Sequence, residues 1–174
     1  MPDQIPVYIS IGSNVDRERY VPAALDALAD WFGELSISPV YESEAVGFDG
    51  SLFLNLVVGV KTSLSVGELS RRFKQLEVEN GRHPGAPKFS AKTLDLDLLT
   101  YGEAVGRMDG VELPRAEILK NAFVLRPLAD VAPNVKHPVC RKSYLELWQA
   151  YSAGQRLWPV DFNWRGRVIS RAVG

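Results

Sequence analysis

The stretch Thr93–Thr100, TLDLDLLT, decides the reading of the fold; it follows the irregular segment Gly81–Lys92, GRHPGAPKFSAK. Leu94, Asp95, Leu96, Asp97 and Leu98 alternate apolar and acidic with a period of two, the pattern of a strand with one buried face. Asp95 and Asp97 therefore share a face, about 6.5 to 7 Å apart along the strand. Carboxylates at that spacing suit hard divalent cations such as Mg²⁺, which take oxygen ligands, keep waters and share substrate phosphates. A half-buried edge strand that only exposes two acids to solvent gives the same alternation. The rest of the chain has to decide between the two.

Upstream, His83, Pro84, Gly85, Pro87 and Lys88 break regular structure and are basic enough to sit over phosphates. Before them, Ser65 and Glu68 have the capping-box spacing, Leu69, Phe73 and Leu76 recur on one helical face, and Asn80 and Gly81 supply a helix end. Glu77 and Arg82 fall beside the irregular loop. Phe53–Val60 reads as a strand with Leu54, Leu56, Val58 and Val60 on one face and Phe53 and Asn55 on the other. An aromatic and an amide together on a strand face suit a planar heterocycle. Leu35–Glu44 reads as a further strand, running into the loop Glu44–Ser51, which is expected to be mobile. The spacing of Val21, Leu25, Leu28 and Phe32 predicts a helix over Arg17–Phe32, stopped by Gly33, and Val7–Ile11 predicts a strand ended by Gly12–Asn14.

Downstream, Tyr101–Glu103 suggests a hairpin turn, Ala122–Pro133 a short helix ending at a proline, and Ser143 with Glu146 a second capping box before Tyr144, Leu147, Trp148 and Tyr151. The order strand, helix, strand, strand, helix, strand is the split βαβ pattern of ferredoxin-like α+β sandwiches: a βαββαβ unit whose antiparallel sheet carries helices on one face. Residues 1–156 are expected to form a single domain. Residues 157–174 form an aromatic and basic tail, with Trp158, Phe162 and Trp164, for which packing on the domain or on a partner subunit is the expected use.

A chain of 174 residues with 46% hydrophobic and 24% charged residues has the composition of a globular protein with one core. No apolar run approaches the roughly 20 residues that span a bilayer, and the start, MPDQIPVYIS, lacks the pattern of a secretory signal. A cytoplasmic location and no membrane partner are the expectation. The lone Cys140 excludes an intrachain disulfide framework, and a net charge of −1 argues against nucleic acid as a partner.

The segments SIGSN, FLNLVV, LEVENGR, TLDLDLLTYG and FVLRPLADVAP occur in order from about Val7 to Pro133. Together they resemble the 6-hydroxymethyl-7,8-dihydropterin pyrophosphokinases of folate biosynthesis. The resemblance implies a ferredoxin-like fold, ATP as co-substrate with two Mg²⁺ ions, and transfer of pyrophosphate to the pterin hydroxymethyl group with release of AMP. Position by position it implies that Asp95 and Asp97 hold the metals. It places the pterin against Ser43, Phe53, Asn55, Asp95 and Phe123, and ATP against Glu77, Arg82, Lys92, Leu98, Arg115 and Lys120. Arg82, Lys92, Asp95 and Asp97 would carry the catalysis.

The chain departs from that family at several cations. Pro84 stands where the family has a second arginine, Phe89 where its flexible loop has tryptophan, Lys92 where arginine precedes the acidic strand, Arg115 where histidine stands, and Asn121 where a further arginine follows. Glu44 and Ala45 occupy positions where proline is common, although Gly47 is kept. These changes keep two alternatives open: a degenerate paralogue that binds a pterin or nucleotide without transferring pyrophosphate, and a related phosphotransferase acting on another pterin. The oligomeric state, monomer or weak dimer, is open as well.

Overall fold

The computed structural model describes residues 4–44, 52–81 and 93–172. In chain order its elements are β1 (Ile5–Ser13), α1 (Arg17–Phe32), β2 (Ser36–Ile37), β3 (Tyr41–Ser43), β4 (Phe53–Thr62), α2 (Val66–Glu79) and β5 (Asp95–Tyr101). They continue with β6 (Gly106–Met108), β7 (Val111–Leu113), α3 (Glu117–Lys120), α4 (Ala122–Val131), α5 (Tyr144–Ala150), β8 (Leu157–Pro159), β9 (Phe162–Trp164) and β10 (Arg167–Ser170).

The main sheet has the order β5-β1-β4-β3-β8, with β2 also on β4, and its pairings are antiparallel. Removing β8 leaves the βαββαβ order of a ferredoxin-like sandwich, as the element order predicted. Helices α1 and α2 cover one face. Val21, Ala24, Leu25 and Leu28 of α1 and Leu69, Phe73 and Leu76 of α2 pack with Ile9, Ile11, Leu56, Val58, Leu96 and Leu98 in one buried cluster. Both predicted capping boxes form, Ser65 with Glu68 and Ser143 with Glu146. A cap contributes about 1 kcal/mol, against roughly 1.5 to 3 kcal/mol for each fully buried leucine or phenylalanine. The apolar faces therefore decide that these helices form, and the caps decide where they begin.

The C-terminal helices add a second layer on the opposite face. Ile118, Val124, Leu125, Leu128 and Tyr144 close over Val57 of β4 and Leu99 of β5, with Tyr8 packed against them. Tyr8 lies across β4 at Gly59, where a β-carbon would come within 2.8 Å of its ring; the glycine gives the ring its place.

Two expectations change, and one of the two alternatives for the tail is selected. The first strand runs on through Gly12 and Ser13, because these residues keep antiparallel partners in Asn55 and Leu54. The strand expected over Leu35–Glu44 is divided into β2 and β3 at Ser38 and Pro39. Ser38 is buried and gives its bonds to Val57, its N–H to the carbonyl at 3.0 Å and its Oγ as acceptor from the amide at 2.9 Å, while Pro39 has no N–H to offer a ladder. The chain from Leu157 supplies β8 to the sheet edge and buries Phe162 and Trp164 in the first cluster. Trp164 Nε1 donates to Asp26 of α1 at 3.0 Å, so these aromatics pack on the body of the same chain. The turn at Gly102 is followed by the hairpin β6–β7. The expected loop over Glu44–Ser51 lies, beyond Glu44, outside the described residues.

His137, between α4 and α5, is buried, and its Nδ1 accepts the main-chain N–H groups of Val139 and Cys140 at 3.2 and 3.3 Å. Burial lowers its pKa from the ordinary 6.5. Below that value the unfolded chain binds a proton that the folded one refuses, so this contribution to stability is lost as pH falls. Denaturant midpoints between pH 7.5 and 5.5 should fall more steeply for the wild type than for His137→Asn; equal slopes would show that His137 is not responsible.

Candidate active site

Among the described residues, the second face of the sheet is half covered and half open. Where Tyr8, Val57 and Leu99 lie, the C-terminal helices seal it; towards the end of β1 and the starts of β4 and β5 it carries polar residues. One row across the strands there reads Tyr41, Asn55, Gly12, Asp95, and the next reads Val57, Ser10, Asp97. Leu96 and Leu98 turn into the core, so alternation sends Asp95 and Asp97 to the open face together, as their spacing predicted. Gly12 lies between Asn55 and Asp95, and a β-carbon on it would lie 3.8 Å from both Asn55 Oδ1 and Phe53 Cδ1. The floor between these residues is left without a side chain.

Asn55 is 6% exposed and donates from Nδ2 to Ser43 Oγ at 2.8 Å, with the carbonyls of Tyr41 and Phe53 at 3.4 Å. These bonds fix the amide with its oxygen toward Gly12. Ser43 pairs with Phe53 in register, so both are neighbours of Asn55. Phe123 stands half-buried in the first turn of α4, packed against the second cluster. Arg115 Nη2 donates to Asp97 Oδ1 at 2.8 Å, and its Nε lies 3.6 Å from Glu117. The main-chain N–H of Arg115 donates to the carbonyl of Leu99 at 3.0 Å, which anchors the guanidinium beside β5.

Of the residues that the resemblance placed at ATP, Arg115 is thus at Asp97. Glu77 is buried and accepts the main-chain N–H of Leu96 at 2.7 Å, which ties α2 to the acidic strand from behind. Leu98 is buried in the first cluster, and Lys120 is exposed at the end of α3. Arg82 and Lys92, with Pro84, Lys88 and Phe89, lie outside the described residues. Among the described residues no third histidine, cysteine, aspartate or glutamate joins Asp95 and Asp97.

Sequence reading missed Arg126. Its guanidinium lies between the rings of Tyr41 and Trp148, at 5.6 and 5.2 Å, and donates to Tyr41 Oη at 3.1 Å. The Tyr41 hydroxyl in turn donates to Asp130. Burial, and the hydrogen bond to Asp130, push that hydroxyl up to about 12, so it stays a donor. The spacing of Arg126 and Asp130, four apart on α4, was the available signal. Tyr41 is 4% exposed, and its link to α4 fixes the helix bearing Phe123 to the strand beside Asn55.

A family model described as 7,8-dihydro-6-hydroxymethylpterin-pyrophosphokinase matches residues 8–133. The chain belongs to this family. It is 39% identical over 142 residues to the 2-amino-4-hydroxy-6-hydroxymethyldihydropteridine pyrophosphokinase of Aquifex aeolicus, covering 80% of this chain and 88% of that one. It is 35% identical to the Pseudomonas aeruginosa enzyme of the same name, over 76% of this chain and 83% of the other. The Plasmodium falciparum HPPK-DHPS structure with pteroate superposes with a TM-score of 0.70 at 14% identity, over 96% of this chain and 47% of that one. The chain spans about half the length of that structure, and the likeness concerns the fold. As a member of the family the protein is a pterin pyrophosphokinase, of the folate pathway.

Proposed function

We propose that the protein transfers the β,γ-pyrophosphoryl group of ATP to the hydroxymethyl oxygen of 6-hydroxymethyl-7,8-dihydropterin, with Mg²⁺ bound at Asp95 and Asp97. The observation that carries this is the row Asn55, Gly12, Asp95: an oriented amide and a carboxylate on either side of an open floor. The donor set fits the cation. Two carboxylates on one strand face leave most of an octahedral shell to waters and phosphate oxygens, the arrangement that Mg²⁺ prefers. When bound, the cations screen the triphosphate charge and favour ionisation of the attacking hydroxyl.

The residues of the chain do the positioning. Phe53 and Phe123 hold the flat face of the pterin, and the amide of Asn55 and the hydroxyl of Ser43 read its edge. Arg115 holds the Asp97 carboxylate in place and adds positive charge where phosphate charge develops. Arg82, Lys92 and Lys120 supply the remaining cations to ATP, while Glu77 and Leu98, on the core side of β5, hold the strand in place beneath the nucleotide. The pterin oxygen bonds to the β-phosphorus, the bond from that phosphorus to the bridging oxygen of the α-phosphate breaks, and AMP leaves with that oxygen. The hydroxyl proton passes to solvent. Holding both substrates in line makes the step effectively unimolecular.

Relatives bearing the enzyme's name at 33 to 39% identity do not favour the reading as a non-transferring paralogue. The protein with ATP, Mg²⁺ and the hydroxymethyl dihydropterin should yield AMP and the pterin diphosphate in equal amounts, and neither when Mg²⁺ is chelated. Calorimetric pterin binding without AMP release would overturn the proposal.

A further inference from the structure

The two ring-bearing walls of the site are both tied to one short segment beyond residue 133, outside the span of the family match. At one end is Gln155. Its Oε1 accepts the main-chain N–H of Ala122 at 2.8 Å, and its Nε2 donates to Asn121 Oδ1 at 3.3 Å and to the carbonyl of Lys120 at 3.4 Å. Ala122 opens α4 and precedes Phe123. Asn121, the helix cap, makes no side-chain cap bond, so an otherwise orphaned helix donor is met by a glutamine from elsewhere in the chain.

At the other end is Trp158 in β8. It lies opposite Glu42 of β3, and its Nε1 donates to Glu42 Oε1 at 2.8 Å. Glu42 Oε2 meets Arg17 at 2.7 Å, and Arg17 Nη1 donates to the carbonyl of Leu52 at 3.0 Å. Glu42 and Leu52 immediately precede Ser43 and Phe53, which pair with each other. A segment of this length spans roughly 10 Å when extended, and it bridges α4, with Phe123, to β3 and β4, with Ser43, Phe53 and Asn55.

We propose that Gln155 and Trp158 are positioning residues for the pterin: the segment they bound fixes where the Phe123 wall stands relative to the Phe53 wall. This rests on the pterin pyrophosphokinase reading above. Gln155 is exposed, and an exposed side chain ordinarily moves stability by no more than about 0.5 kcal/mol. Its bonds bear on the start of α4, so its loss is felt in the site more than in the fold.

The test is a split of kinetic constants in the full chain. Gln155→Ala and Trp158→Phe should each raise the KM for the hydroxymethyl pterin by about 5- to 10-fold, the worth of one oriented hydrogen bond, with kcat and the KM for ATP within about 2-fold. Gln155→Glu, which keeps the acceptor for Ala122, should stay nearer the wild type. Trp164→Phe removes a comparable indole bond, to Asp26, from the same C-terminal region and should leave the pterin KM unchanged. An unchanged pterin KM in Gln155→Ala and Trp158→Phe overturns the proposal, and so does a fall in kcat with a rise in both KM values that Trp164→Phe shares. A wild type that releases no AMP defeats the pyrophosphokinase reading instead. Pterin binding by fluorescence titration of the same variants then decides the positioning role separately.

Discussion

Asp97→Asn is expected to slow AMP release by on the order of 10³-fold while leaving the protein folded. Asparagine keeps the size of the side chain, and its Oδ1 can still accept from Arg115 Nη2, now 2.8 Å from Asp97. The ion pair itself is partly exposed, with side-chain exposures of 32% and 38%; pairs of that kind contribute about 0 to 1 kcal/mol. A large loss of rate with a small loss of stability is therefore the signature of a metal ligand, and the reverse that of a structural ion pair. The half-saturating Mg²⁺ concentration should rise in the same variant, because one carboxylate has gone from the donor set. A variant that keeps more than about a tenth of the wild-type rate would remove Asp97 from the catalytic site.

Local pattern carried much of this reading, and its failures have one cause. The face assignments of β4 and β5, the limits of α1 and both capping boxes depend on residues within a few positions of one another, and periodicity and cap chemistry report those directly. Pairing between distant strands is not written locally. Gly12 has the composition of a turn, and stays in the ladder because Asn55 and Asp95 flank it. Trp158 and Trp164 find their partners 116 and 138 residues away, at Glu42 and Asp26, so no window of sequence around them shows what they hold. Arg126 is of the same kind: its helix is legible, whereas the rings of Tyr41 and Trp148 about it come from two other elements. The acidic pair was legible because alternation fixes direction. Arg115, eighteen residues on from Asp97, became a specific partner only when the chain returned along β5.

Asn55→Asp tests the other half of the site, and the change removes a donor without changing size. The amide nitrogen points at Ser43 Oγ at 2.8 Å and at the carbonyls of Tyr41 and Phe53 at 3.4 Å. A carboxylate there would set an oxygen against those carbonyls in a place only 6% exposed. The Ser43 hydroxyl can rotate to donate, and the carbonyls have nothing to give. Leaving buried acceptors opposed costs about 1 to 3 kcal/mol, so the unfolding midpoint should fall, and pterin affinity should fall by on the order of 10²-fold because the edge-reading group is both displaced and charged. ATP binding in the presence of Mg²⁺ should be unaffected, which separates this outcome from general unfolding of the site. Burial and the facing carbonyls favour the protonated acid, so the new carboxyl titrates above the usual carboxylate range. Once protonated it regains one donor, and the deficit in pterin affinity relative to the wild type should therefore shrink as pH is lowered. Fluorescence titrations across pH that find a constant deficit would show that Asn55 does not act as a donor on this face.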